Sequence, residues 1–270
     1  MNSSSPEAGI VFAGLMPHAP VLIPEVGQGR EREAASTVAA MREISARLVS
    51  LNPDRLVLIS PHSPRRHNSF GIWGEASIAG DLGRFRCPDV RIDLPVDSHF
   101  ADRIHTDALP TWRIRDEALD HGASVPGYFL ARAGWQGATT LLSLNYPGVG
   151  MLEDLGTLLA KCADESGGTT AVIASGDMSH ALLEGGAAGF HPRAREFDEC
   201  FVGLVKDCDY GGLASIDPSL LEVAAEDVVG STLIACASVG MKSEGANFMS
   251  YEGPFGVGYS VAVLFDRESS

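Results

Sequence analysis

Apolar positions along the chain alternate between short uninterrupted runs and longer segments with a helical period. The short runs at residues 10–15, 55–60, 139–144 and 170–174 are typical of buried strands. In residues 30–51, by contrast, apolar side chains recur every three or four positions and form one face of a helix. This alternation of strand and helix patterns predicts an α/β fold.

The remaining patterns extend the same alternation to the C-terminus. Further helices are predicted at residues 98–108, 151–166, 193–205 and 228–239, and further strands at 247–251 and 259–265. No linker interrupts residues 9–266, so we predict a single α/β domain with a central mixed, largely parallel sheet flanked by helices. Residues 1–8 are small and polar and are predicted to form a flexible tail.

Composition and charge narrow the classes of protein. Of 270 residues, 45% are apolar and 20% charged, which is typical of a globular chain and excludes a disordered or fibrous one. The net charge of −15 would be repelled by a phosphate backbone, so no nucleic-acid partner is expected. No apolar run approaches the roughly 18 residues of a membrane span. The five cysteines form no C-x-x-C pair, and we expect a cytoplasmic protein.

Three histidines follow predicted strands directly. They lie in the segments Met16-Pro17-His18-Ala19-Pro20, Ser60-Pro61-His62-Ser63-Pro64 and Ser175-Gly176-Asp177-Met178-Ser179-His180. A single loop histidine is more often a surface residue than a functional one. Parallel strands, however, end at the same edge of a sheet, where α/β proteins bind ligands. The prolines around His18 and His62 restrict the backbone, as a rigid metal site requires.

The other histidines are less informative. His121, in Asp120-His121-Gly122, precedes a helix predicted to start near Ser124 and could orient a substrate or cap that helix. The rest, His67, His99, His105 and His191, are interpreted as surface residues.

Two imidazoles need a further ligand to hold a divalent metal. Glu222 and Glu226 are the candidates, because both acids lie in an otherwise apolar run. The alternative for either is an acid that stabilises the start of the following helix. Two histidines and one carboxylate form the facial triad of non-haem Fe(II) oxygenases, and zinc can use the same ligands. His180 could serve as the base beside either metal.

These segments together resemble the class III extradiol ring-cleavage dioxygenases. The resemblance is to the catalytic B-subunit type, as in protocatechuate 4,5-dioxygenase, and especially to the branch with the Memo-like proteins and the AmmeMemoRadiSam system protein B. It covers residues 9–265. Besides the histidine segments, it rests on Leu119-Asp120-His121-Gly122 and Tyr251-Glu252-Gly253-Pro254-Phe255-Gly256-Val257-Gly258-Tyr259.

The resemblance implies roles for individual residues. His18 and His62 would bind Fe(II) together with Glu226, His180 would be the acid/base residue, and His121 would lie near the substrate. The substrates would be a small aromatic diol and O2, and the chain could form a homo-oligomer or bind a small companion subunit. In the Memo-like branch the position matched to Glu226 is often Cys, so Glu favours the dioxygenase. A Memo-like metal-binding protein without ring cleavage and a zinc hydrolase are the alternatives.

Overall fold

The computed structural model describes residues 8–75, 77–105, 109–145 and 151–269. The strands of this part of the chain are β1 (Gly9–Met16), β2 (Arg55–Ser60), β3 (Phe70–Trp73), β4 (Ser77–Leu82), β5 (Cys87–Pro95), β6 (Thr111–Ile114), β7 (Ala138–Ser143), β8 (Thr169–Ser175), β9 (Asn247–Glu252) and β10 (Tyr259–Asp266). The helices are α1 (Pro24–Gly27), α2 (Ala35–Leu51), α3 (Ser98–Ile104), α4 (His121–Ala133), α5 (Leu152–Ser166), α6 (Ala194–Lys206), α7 (Pro218–Ala224) and α8 (Val229–Ser238).

The described strands form an eight-stranded sheet in the order β6-β3-β7-β2-β8-β1-β10-β9. Its centre is parallel, because β2 pairs in parallel with β7 and β8, and β8 with β1. Strand β10 runs antiparallel to β1 and β9, and β3 antiparallel to β7. The predicted single α/β domain with a mixed, largely parallel sheet is therefore confirmed.

Helices cover both faces of the sheet because successive side chains of a strand point to opposite sides. Along β2, Leu56 and Leu58 are buried in the cluster that contains α2 and α4. Val57 and Ile59 are buried in the opposite cluster, with α5, α6 and α8. Uninterrupted apolar strands are thus the consequence of two buried faces, and their carboxyl ends are left free at one edge.

The sequence patterns missed the smaller elements. β3 to β6 were not predicted, and β4 and β5 pair antiparallel in a small sheet of their own. Exposed polar side chains such as Asp81, Arg91 and Asp93 break their apolar pattern. The helix predicted at 98–108 ends at Ile104, and residues 106–108 lie outside the described chain.

Two other expectations concern the N-terminus and membranes. Residues 1–7 of the predicted tail lie outside the described residues. Within the described chain, no helix combines the length and the apolar character needed to cross a bilayer.

Candidate metal centre

Three histidines meet beyond the carboxyl ends of the central strands. His18 follows β1, His62 follows β2, and His121 is the first residue of α4. Among the described residues, one ring nitrogen from each lies within 4.8 Å of the others. His18 is buried, His62 is exposed and His121 is intermediate between them. His18 and His62 thus lie close together, as the sequence predicted, and His121 is the third histidine of this group.

A carboxylate completes this group of donors. Asp227 Oδ2 lies 3.1 Å from His62 Nε2 and 3.4 Å from His18 Nε2. The two Nε2 atoms are 3.0 Å apart. Two ligands bound at right angles about 2.1 Å from a metal are separated by about 3 Å, so these three atoms fit one face of a coordination sphere. The donor set therefore fits a divalent metal.

Glu226, the ligand expected from the sequence, does not join this group in the structure. Its Oε2 accepts hydrogen bonds from the backbone N–H of Val228 at 2.7 Å and of Val229 at 2.8 Å, at the start of α8. Burial raises the pKa of Glu226 to about 7, although both N–H donors oppose that shift. Glu222, the other candidate, is exposed. The acid beside the histidines is therefore the neighbouring residue, Asp227.

Hydrogen bonds determine which nitrogen of His18 is free. The Ser175 hydroxyl donates its only hydrogen to Gly122 O and lies 2.9 Å from His18 Nδ1. Its oxygen must then accept from His18, so Nδ1 carries the hydrogen. The lone pair of the neutral ring is left on Nε2, which is the atom that faces Asp227. A histidine oriented in this way is prepared to bind a metal.

Two acids around His18 make the site attractive to positive charge. Asp177 Oδ1 accepts a hydrogen bond from His18 N at 2.8 Å, and Asp177 N donates to Asp227 Oδ1 at 2.7 Å. Burial alone would lower the pKa of His18, but Asp177 and Asp227 outweigh it and raise the pKa to about 9. Burial likewise opposes ionisation of Asp227, yet His18 and His62 hold its pKa well below the usual range. A proton or a metal ion can supply this charge.

Asp120 connects the loops of His62 and His121. It caps α4 by accepting a hydrogen bond from Ala123 N at 3.1 Å. Its two carboxylate oxygens also accept hydrogen bonds from the hydroxyls of Ser60 and Ser63, which lie on either side of His62 in the sequence. Gly122 is required at this junction because a Cβ there would overlap Ser60 Oγ. The structure therefore corrects the helix start near Ser124, since α4 begins at His121.

His121 remains neutral over a wide pH range. Burial lowers its pKa to about 3, and the charges of His62 and His18 add to that shift. The rings of His62 and His121 lie 4.0 Å apart. Phe85, at the tip of the β4–β5 hairpin, packs edge-on against His121 with 5.7 Å between the ring centroids. An aromatic and an imidazole wall thus border the metal-binding atoms.

His180 lies on a separate loop after β8. Its backbone N–H donates to Ala224 O at 2.8 Å. Burial raises the pKa of both Asp177 and Asp198, and interaction with the His180 imidazole opposes that shift. Nδ1 is buried and has no hydrogen-bond partner among the described residues. Nδ1 is thus shielded from solvent.

Comparison with known proteins agrees with this geometry. Residues 12–262 match the family model for the catalytic LigB subunit of aromatic ring-opening dioxygenase. The chain belongs to this family. The predicted relationship to the extradiol dioxygenases is thereby confirmed, and the three histidines form a possible metal site in an oxygenase-type protein.

Two individual proteins resemble this member of the dioxygenase family. Protein CA_C1420 of Clostridium acetobutylicum is 28% identical over 273 residues, which cover 95% of this chain. The match spans only 58% of that relative's length. The crystal structure of the uncharacterized protein JW3007 from Escherichia coli K12 has a TM-score of 0.63 at 15% identity and covers 94% of this chain and 98% of the other. This second likeness shows the shared fold.

Sequence reasoning overlooked several residues of this dioxygenase-family site. Asp227 stands in the run that was considered for Glu226, but no periodicity marks which of two adjacent acids faces inward. Ser175 and Asp177 belong to the quoted His180 segment, and their contact with His18 depends on the pairing of β8 with β1. A polar residue directly after an apolar strand was the available signal.

Proposed function

We propose that this protein is a non-haem Fe(II)-dependent extradiol dioxygenase that opens a small aromatic diol with O2. The observation that carries the proposal is the triad of His18 Nε2, His62 Nε2 and Asp227 Oδ2, whose members lie 3.0 to 3.4 Å apart. Two histidines and one carboxylate on one face leave the other positions open for substrates. Family membership supports the oxygenase reading of this donor set.

In this proposal Asp227 takes the ligand role that was expected of Glu226. Bound Fe(II) supplies the redox chemistry that allows O2 to react with an electron-rich ring. Proton transfer is carried out by a side chain of the protein. His180 accepts a hydroxyl proton of the diol at Nε2 and later returns it to the opening ring.

The walls of the site favour an aromatic substrate. His121 stays neutral near pH 7 and can donate or accept a hydrogen bond at the diol without repelling a metal ion. Phe85 offers a ring surface beside it, on which a planar substrate can pack. The role of His121 near the substrate, expected from the resemblance, thus becomes part of the proposal.

Two alternatives use the same atoms. A zinc hydrolase would use His18, His62 and Asp227 with a metal-bound water, and a Memo-like protein would bind metal without ring cleavage. The Memo-like branch, a homo-oligomer and a companion subunit stay predictions from the sequence. Family membership favours the dioxygenase over the hydrolase.

The proposal is tested by oxygen uptake after anaerobic reconstitution with Fe(II). The substrates are catechol, protocatechuate, gallate, homoprotocatechuate and 2-aminophenol. We expect uptake and a yellow ring-opened product with at least one of them. His180→Ala should keep its iron and lose turnover by roughly 100- to 10,000-fold, whereas His18→Ala should lose both iron and turnover.

Separate results would overturn the proposal. Iron-loaded wild type that consumes no O2 with any of these compounds would contradict ring cleavage. Zinc in the purified protein together with hydrolysis of ester or amide substrates would favour the hydrolase. Iron retained by His18→Ala would remove His18 from the ligand set.

A further inference from the structure

The C-terminal hairpin supports the loop that carries His180. Met178 N donates to Gly258 O and Gly258 N donates to Ser179 O, both at 2.8 Å. Leu182 N donates to Gly256 O at 3.0 Å. The segment from Tyr251 to Tyr259, for which the proposed reaction has no direct use, therefore forms one wall of this loop.

A buried carboxylate joins the loop to two further elements. Asp198 of α6 has no exposed surface. Its Oδ1 accepts a hydrogen bond from Ser179 N at 2.9 Å, and its Oδ2 accepts one from the hydroxyl of Tyr251 in β9 at 2.6 Å. A Cβ at Gly258 would overlap Asp198 Oδ2, so the hairpin must approach with a glycine. Asp198 thus holds the peptide between Met178 and Ser179, one residue before His180.

Burying the carboxylate of Asp198 costs more free energy than a contact that only stabilises the fold would require. Burial raises the pKa of Asp198 to about 6, against the hydrogen bonds from Tyr251 and Ser179 N. Well-packed apolar residues in such a place are commonly as stable as a buried charge or more so. Short hydrogen bonds to a fixed carboxylate, in contrast, define a position closely. The cost is therefore consistent with a need to place the neighbouring residue.

We propose that the Asp198–Tyr251 pair is a positioning device that sets the place of His180 for proton transfer. The inference rests on the proposed function, since it takes His180 as the proton-transfer residue. Neither side chain has to touch the substrate. A displacement of about 1 Å at a reacting group can reduce the rate by about 100-fold, so even a small shift of the Ser179 peptide is sufficient to matter.

The test compares two tyrosine variants that lose the same atom. Tyr251→Phe removes the hydroxyl that donates to Asp198, and Tyr210→Phe removes a hydroxyl that donates to Leu264 O at 2.7 Å in the core. With the iron-loaded protein, we expect Tyr251→Phe to lower kcat by about 10-fold or more. KM should change by less than about twofold, and iron content should not change. Tyr210→Phe should keep the kcat of wild type.

A second readout does not depend on turnover. Diethyl pyrocarbonate modifies accessible histidine nitrogens, and peptide mass spectrometry gives the rate at His180 separately from the other histidines. We expect this rate to change in Tyr251→Phe and to be that of wild type in Tyr210→Phe. If wild type turns over no diol, the proposed function fails, and the rate of His180 modification decides the positioning role alone.

The Asp198→Asn variant provides the converse check. Asn can still accept from Ser179 N, but it has no second carboxylate oxygen for the Tyr251 hydroxyl. The double variant combines Tyr251→Phe with Asp198→Asn. If the two residues act as one unit, its kcat should be no lower than that of the slower single variant. Multiplicative losses in the double variant, or wild-type kcat and His180 reactivity in Tyr251→Phe, would overturn the proposal.

Discussion

The two histidine-bearing regions of this protein are stabilised in different ways. His18 and His62 are held by buried hydroxyls and carboxylates, and their nitrogens point at Asp227. The loop of His180 is held by its main chain and by Asp198, while Nδ1 of the ring has no hydrogen-bond partner in the described part of the chain. The first region concentrates negative charge and donor atoms at one point, and the second places a ring that can exchange protons. Substitutions in the two regions should therefore have separable effects on metal affinity and turnover.

The largest expected effect concerns the carboxylate of the first region. Asp227→Asn should weaken Fe(II) binding by more than about 100-fold, because it removes an anionic donor while keeping an oxygen for Asp177 N. Glu226→Gln, one residue away, should bind metal as wild type does. Competition with a chelator measures both affinities. The opposite ranking would return the ligand role to Glu226.

A smaller loss of affinity is expected from the hydroxyl behind His18. Ser175→Ala removes the acceptor of His18 Nδ1–H, so the ring is free to turn and Fe(II) affinity should fall by roughly 10- to 100-fold. Ser45→Ala is the matched control, since it removes an equally buried hydroxyl that donates to Met41 O in α2. Equal affinities of the two serine variants would show that this hydrogen bond does not orient the ligand.

In the second region, the contribution of Asp198 to the unfolding free energy should depend on pH. Asp198 has its pKa raised from 3.8 to about 6, so the stability it contributes is full below pH 3.8 and is lost as pH rises through 6. Asn does not titrate. Between pH 4.5 and 7.5, the unfolding free energy of Asp198→Asn relative to wild type should therefore increase by about 2 kcal/mol. Denaturant unfolding at both pH values measures this difference, and a pH-independent difference would contradict the raised pKa.

The smallest expected effect lies between the two regions, at the aromatic wall. Phe85→Ala removes the ring beside His121 and should raise the KM for a diol by about three- to tenfold, with Fe(II) affinity unchanged. Phe248→Ala, which alters a partly buried ring on β9 under Lys206, serves as the control. Steady-state kinetics of both variants decide the matter, and equal KM values would exclude Phe85 from the substrate pocket.

Much of this comparison was predictable from local patterns. The apolar runs predicted the central strands because a strand buried on both faces leaves no place for polar residues. The Pro-His-x-Pro segments at His18 and His62 indicated a rigid site at the sheet edge. Strands β4 and β5 escaped prediction because exposed charged side chains interrupt their apolar pattern. Strands β3 and β6 have only four residues each, which is too short for a clear periodicity.

Chain order and side-chain type by themselves determined the α/β architecture, the edge of the sheet that carries the site, and the two histidines after β1 and β2. Tertiary structure decided which carboxylate faces them. Asp227 rather than Glu226 turns inward because α8 begins immediately afterwards and its free N–H groups bind the Glu226 carboxylate. It also brought His121 beside His62 and Asp198 beside Ser179, since contacts between residues distant in sequence depend on packing that no local periodicity records.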